Sequence, residues 1–187
     1  NPLPAAPAAP GTAICAGETA TLTATVTGTA NWYADAALTN LIATGSVYTT
    51  GPLTTTTDFY VTETDANGCE SPATTVTVTV NPLPADPVAT GATICAGETA
   101  TLTATGSGGT LEWFDASMTT VLATGGSYTT PALTQNTTYY VMETDANGCM
   151  SNAVAVDVIV NPVPNNPTVA SPIAVCEGDD VILTATG

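Results

Sequence analysis

An all-β protein built from tandem sandwich domains, about seven short strands each, is the fold class that three features of the sequence predict. The chain repeats itself every 80 residues. Its apolar residues alternate with threonine at a period of two, which is the pattern of half-buried strands. Turn signals carrying Gly, Pro or Asn-Gly interrupt these runs every 8–12 residues or so. Threonine alone makes up about a fifth of the chain, and strong helix signals are missing.

The repeat sets the domain plan. Asn1-Pro2-Leu3-Pro4, Asn81-Pro82-Leu83-Pro84 and Asn161-Pro162-Val163-Pro164 mark three starts. Residues 1–80 and 81–160 are about 60% identical, which reads as repeats 1 and 2. Residues 161–187 read as the N-terminal third of a third repeat. A chain that starts and stops in mid-motif is expected to be a segment of a longer one, or to be completed by another subunit through strand donation.

Within each repeat the elements follow in order. A proline-rich seam comes first (residues 1–10 and 81–87), expected to be an extended, semi-rigid spacer. A short strand over residues 12–15 meets an Ala16-Gly17 turn. Glu18 to Thr25 then alternates, with Ala20, Leu22 and Ala24 on the buried face and threonines on the other. Next come Trp32 and Trp113, one per repeat on the third strand, expected as core residues of a sandwich. They lie 81 residues apart rather than 80, so a local insertion is compensated nearby. Short strands fill residues 36–57. Phe59 and Val61, with Tyr139 and Val141 in the copy, are expected to face inward and to leave Tyr60 and Tyr140 outside. The stretch Thr64-Asp65-Ala66-Asn67-Gly68-Cys69, identical to Thr144-Asp145-Ala146-Asn147-Gly148-Cys149, is expected to be a hairpin tip, because Asn-Gly is a strong hairpin signal and both residues tolerate positive φ. Val76, Val78 and Val80 complete an immunoglobulin-like set of strands.

Composition excludes whole classes of function. The chain has no Lys, Arg or His and sixteen Asp and Glu residues, for a net charge of −16. Nucleic acid is therefore not an expected partner, and neither is an anionic membrane surface. His-dependent metal sites and triads, lysine Schiff bases, phosphate-binding loops with a lysine, and Lys–Asn isopeptide cross-links are all impossible. No apolar run approaches the length of a membrane span, so membrane insertion is not expected. Five cysteines, Cys15, Cys69, Cys95, Cys149 and Cys176, lack the clustered Cys-x-x-Cys pairs of a zinc site. They read as disulfide cysteines in an oxidising, extracellular setting. With so few large apolar side chains per 80-residue unit, a covalent staple is expected.

The run Ile14-Cys15-Ala16-Gly17-Glu18, then a Trp strand, then Asp65-Ala66-Asn67-Gly68-Cys69 and a Val-alternating strand ending in Asn-Pro resembles a known repeat. It is similar to the tandem immunoglobulin-like repeats of very large secreted surface proteins of the Bacteroidota, including adhesion and gliding-motility proteins. That resemblance implies an extracellular, cell-attached stalk, commonly exported by the type IX route.

Two cysteine pairings remain open at this point. Within each repeat, Cys15 would join Cys69 and Cys95 would join Cys149, leaving Cys176. In an immunoglobulin sandwich, however, those positions lie at opposite ends, roughly 20 Å apart, and a disulfide needs Cα atoms within about 7 Å. Stacked head to tail, Cys15 would instead reach Cys149 of the following domain, with Cys95 and Cys176 bonding to later repeats.

The repeated carboxylates Glu18/Glu98, Asp35/Asp115, Glu63/Glu143 and Asp65/Asp145 lack any cationic or His partner and read as turn chemistry. No catalytic residue and no cofactor is expected. One exception is weighed, calcium at the hairpin tips through Glu63, Asp65 and Asn67, or Glu143, Asp145 and Asn147. The outward threonine rows could carry glycans, and Asn136-Thr137-Thr138 is a chance sequon whose counterpart is Thr56. The function expected is a non-catalytic segment of an extracellular fibre or adhesin stalk, partnered by neighbouring repeats. The alternatives are a carbohydrate- or surface-binding module using Tyr33, Tyr60 and Tyr140, and an accessory domain of a secreted enzyme. One outcome follows from composition alone: trypsin leaves residues 1–187 uncut whether folded or denatured, as gel electrophoresis of a digest will show.

Overall fold

The computed structural model describes residues 2–169, 174–178 and 180–186. Asn1, at the head of the first seam, and residues 170–173, 179 and 187 of the third repeat lie outside the described residues.

The first repeat has seven strands: β1 (Thr12–Cys15), β2 (Thr21–Thr23), β3 (Thr29–Tyr33), β4 (Leu41–Thr44), β5 (Val47–Thr49), β6 (Thr57–Thr64) and β7 (Thr74–Asn81). The second has eight: β8 (Val88–Thr90), β9 (Ala92–Cys95), β10 (Thr101–Thr105), β11 (Thr110–Phe114), β12 (Val121–Thr124), β13 (Ser127–Thr129), β14 (Thr137–Thr144) and β15 (Val154–Asn161). In each repeat a five-stranded sheet, ordered β1-β7-β6-β3-β4 and β9-β15-β14-β11-β12, faces a small one, β2-β5 and β8-β10-β13. These are tandem immunoglobulin-like sandwiches. In the third repeat, β16 (Thr168–Val169) pairs antiparallel with β17 (Ala185–Thr186), which are the counterparts of β8 and β10.

The opening strand of each sandwich serves both sheets. Ala8 bridges Thr25 on the small sheet, and β1 then runs parallel to β7 in the large one. The chain crosses between them at Gly11, where an added Cβ would sit 2.4 Å from the Thr77 carbonyl oxygen; at Gly91 the distance to the Asp157 oxygen is 2.2 Å. Only a residue without a side chain lets the crossing strand lie this close to its neighbour.

The seams are shorter spacers than the sequence suggests. Pro7 and Pro87 are buried, Thr74 donates its hydroxyl to the Pro7 carbonyl at 2.6 Å, and Asn152 donates to Asp86. The ends of the prolyl runs are thus tied to the sandwich they lead into.

The core follows the expected parity. Ala20, Leu22 and Ala24 from the small sheet meet Trp32, Phe59, Val61, Val76 and Val78 from the large one, with the same set in the second repeat. Trp32 and Trp113 are fully buried. Each satisfies its indole N–H on a turn carbonyl, Gly45 and Gly125 respectively, both at 2.9 Å. Tyr48 lies between Trp32 and Phe59, and Tyr128 between Trp113 and Tyr139. The one-residue offset is resolved on either side of the Trp strand. The loop before it gains a residue (106–109 against 26–28), and the loop after it loses one, so both indoles find the same carbonyl.

Two substitutions measure these constraints by chemical denaturation. Trp113→Ala removes the largest core side chain and should lower stability by about 3–5 kcal/mol. Gly91→Ala forces β9 away from β15 and should cost about 1–3 kcal/mol.

Candidate functional site

The hairpin tip is built by Asp65. Its Oδ1 accepts the Asn67 and Cys69 backbone N–H groups, both at 2.8 Å. Gly68 N–H donates to the Asp65 carbonyl and Asp65 N–H to that of Cys69. Gly68 has φ +80° and Asn67 is not at positive φ. The stretch is a hairpin tip as expected, and its turn is a three-residue loop ending in a left-handed glycine rather than the two-residue loop that Asn-Gly pairs favour. The Asp side chain favours this outcome by holding the loop in the geometry of an Asx turn. The second tip is the same, with Asp145 Oδ1 accepting from Asn147 and Cys149 at 2.8 Å.

The opposite end of each sandwich is also organised around a cysteine. Cys15 closes β1 opposite Asn81, the last residue of β7. Ala16 N–H donates to Asn81 O at 2.9 Å, and Gly17, at φ +91°, donates to Leu53 O at 2.7 Å. Glu18 Oε2 accepts the Cys15 N–H at 2.9 Å while Glu18 N–H donates to the Cys15 carbonyl.

The disulfide joins a base to a tip across the two repeats. Cys15 bonds Cys149, with Cα atoms 5.5 Å apart and a sequence separation of 134. Neither within-repeat pair forms, and Cys69 and Cys95 are free thiols. Topology supplies the reason. Cys69 precedes the start of β7 and Cys15 lies beside its end, so the eight residues of the strand hold them about 25 Å apart. Cys176 is exposed.

The calcium candidates are not brought together. Asp65 folds over its own loop, whereas Glu63 reaches to the loop before β3. There Glu63 Oε1 accepts from Thr27 N–H (2.9 Å), Thr27 hydroxyl (2.6 Å) and Gly28 N–H. Glu143 likewise accepts from Ser107 N–H, Ser107 hydroxyl and Gly109 N–H. Among the described residues no group of three or more acidic or cysteine side chains is placed to share a metal ion. Both glutamates are buried, Glu143 completely. Sequence reasoning missed this brace, although its signal was present: Phe59, Val61 and Glu63 share the inward face of one strand. A glutamate at core-facing parity, followed by a serine that caps its backbone (Ser71 Oγ accepts Glu63 N–H at 2.9 Å), marks a buried acceptor.

Other expected residues are engaged structurally. Asp35 and Asp115 cap the loops after the Trp strands through Thr39 and Ser117. Asn136, the asparagine of the sequon, accepts Val160 N–H at 2.7 Å, as Thr56 does for Val80 at 3.0 Å. Tyr33 and Tyr60 are cross-strand neighbours on the outer face, and the Tyr33 hydroxyl donates to Glu70 at 3.0 Å.

Neutral donors hold the glutamates ionised. The Thr27 hydroxyl, more than any other group, lowers the Glu63 pKa, and the Ser107 N–H does so for Glu143, against an opposing contribution from burial. Because these folded-state values lie below the ordinary 4.5, the stabilisation is complete above that pH and is lost as pH falls through the depressed values. Calorimetry between about pH 3 and 7 should therefore show the wild-type Tm falling on acidification. Glu143→Gln, which sets an amide N–H against donors, should lower the neutral Tm and flatten the acid limb.

Comparison with known proteins gives several structural likenesses and one family. Among solved structures the chain is similar to the fibronectin(III)-like modules of Clostridium thermocellum CbhA, at 18% identity, 81% of this chain, 90% of that one and a TM-score of 0.41. It is similar to a marsupial T cell receptor at 16% identity, covering 88% of this chain and 76% of that one, with a TM-score of 0.45. The titin domains Z1Z2, solved with telethonin, match at 15% identity over 83% of this chain and 94% of that one, with a TM-score of 0.34. No curated protein matches. The family model described as "Ig-like domain CHU_C associated" matches twice, over residues 4–82 and 84–162. The chain belongs to this family of Ig-like domains and carries two consecutive copies of it.

Proposed function

We propose that the chain is a non-catalytic structural segment of an extracellular fibre or adhesin stalk, of the kind carried by large secreted surface proteins of the Bacteroidota. The observation that carries this reading is the Cys15–Cys149 bond between two sandwiches. A staple within a domain would serve only that domain's stability. One between domains limits how the two can pivot about the seam at residues 82–87, which is what a spacer needs and a freely jointed linker lacks. A disulfide also suits an oxidising compartment outside the cell. The charge of −16 without any cation favours solubility and discourages lateral aggregation. Among the described residues no helix is long and apolar enough to cross a membrane.

A second reading rests on Tyr33 and Tyr60. As cross-strand neighbours on the outer face they could offer a flat aromatic platform to a sugar ring. In the second repeat the corresponding pair is Phe114 and Tyr140, and Phe114 is buried, so the platform is not duplicated.

Small-angle scattering discriminates between these. In the stalk reading, reduction, or the Cys15→Ser/Cys149→Ser double substitution, broadens the distribution of inter-domain distances while circular dichroism stays unchanged. Identical scattering before and after would sink the brace. Glycan-array binding abolished by Tyr33→Ala or Tyr60→Ala would favour the platform instead.

A further inference from the structure

Nine aspartates lie along the chain, and Asp86 alone is followed by proline. The Asp86–Pro87 bond closes the seam between the two sandwiches, after the end of β7 and directly before β8. Asp86 is exposed and Pro87 is buried. Asn152, in the loop between β14 and β15, clasps the carboxylate. Its backbone N–H donates to Asp86 Oδ1 at 3.0 Å, and its side-chain amide donates to Oδ1 at 3.1 Å and to Oδ2 at 3.4 Å. A tie at this place needs no carboxylate. The first repeat has Ala6 and Pro72 in the two positions and is held instead by the Thr74 hydroxyl on the Pro7 carbonyl. What the aspartate brings to the second seam is a reactive group beside a prolyl bond.

We propose that Asp86–Pro87 is an acid-driven self-cleavage site restrained by Asn152, and that the cut halves stay joined through Cys15–Cys149. Residues 1–86 carry Cys15 and residues 87–187 carry Cys149, so the disulfide spans the cut. Cleavage alone then leaves the sandwiches linked, and reduction alone leaves them on one chain. Parting them takes both signals. The inference does not rest on the stalk reading, and its failure would leave the Cys15–Cys149 brace in place.

The chemistry needs only acid and water. An aspartate carboxyl meets the carbonyl carbon of its own residue in a five-membered ring, so the attack is intramolecular and favoured by proximity. A carboxyl oxygen of Asp86 bonds to that carbon, the C–N bond to Pro87 breaks, and the carboxyl proton passes to the proline nitrogen. A prolyl nitrogen, bearing a second carbon substituent, takes up a proton and departs more readily than an ordinary peptide nitrogen. Water then opens the cyclic anhydride at residue 86, which restores the side-chain carboxyl and leaves a new α-carboxyl. One water is consumed and no electrons are transferred. The hydrogen bonds to Asp86 come from Asn152, which does not titrate. They are strongest to an ionised carboxylate and occupy the oxygen that would attack. Acid therefore loosens the clasp and supplies the proton for the leaving group.

Incubation of the full chain at about pH 4, in the range where carboxyl groups exchange protons, tests this, with circular dichroism to follow folding and mass spectrometry to locate the cut. The parent should give one nick, with Pro87 as the new amino terminus. Electrophoresis should show full-size protein without reductant and the fragments 1–86 and 87–187 with it. Asn152→Ala should be cut at least about fivefold faster while folded, the effect expected when a hydrogen-bonded carboxylate is released. In guanidinium chloride, where the clasp is gone from both, parent and variant should be cut at equal rates. Asp86→Glu keeps the charge but enlarges the ring of attack, and should stay uncut. Cleavage of Asp86→Glu at the parent rate would overturn the proposal, as would nicks spread evenly over the other aspartates. Equal rates for folded parent and folded Asn152→Ala would overturn the restraint by Asn152. Fragments that separate without reductant would overturn the two-signal release.

Discussion

A chain without a single cationic side chain has no ion pair with which to compensate a carboxylate taken out of water. That constraint shapes the whole structure. Burying an unpaired charge is costly unless hydrogen bonds replace its hydration. Every carboxylate that helps to shape a turn is therefore met by backbone N–H groups or hydroxyls: Glu63 by Thr27 and Gly28, Asp65 by Asn67 and Cys69, Asp35 by Thr39, Glu18 by Cys15. The abundance of threonine and serine near these positions thus has a second use besides strand propensity. Glycine has one too. At Gly28 and Gly109 a Cβ would collide with the carbonyl oxygens of Thr64 and Thr144, so the loops can close on the glutamates only because those positions are bare.

The same constraint bears on the join between domains. Surface ion pairs contribute little in any case, but here they are unavailable, and acidic neighbours repel each other. A covalent bond is the strong attachment that such a composition still permits. It links the end of β1 to the tip that follows β14, two places that hydrogen bonds have already made rigid.

Much of this was legible in the sequence. The repeat, the parity of Ala20, Leu22 and Ala24, and the buried tryptophans follow from periodicity, because a half-buried sheet imposes a period of two and nothing in the fold overrides it. The turn type at residues 65–69 was not, since Asn-Gly favours a two-residue loop and only the preceding aspartate changes the count. The partner of Glu63 was not legible either, because a carboxylate read as turn chemistry does not name a loop 36 residues away, although its position on the strand pointed into the core. The cysteine pairing stayed undecided for a more basic reason. Equal copies of two cysteines give the same sequence for bonds within and between repeats, and only the distance along β7 separates them.

The bond also reroutes tension. A pull applied at the two ends of the pair travels along the first strand to Cys15, crosses the sulfurs to Cys149 and leaves through β15. Nearly all of the first sandwich, and the second up to its last hairpin, lie on a slack branch beside that route. While the disulfide holds, they cannot be drawn out as extended chain, and the length they store is released only by a reductant.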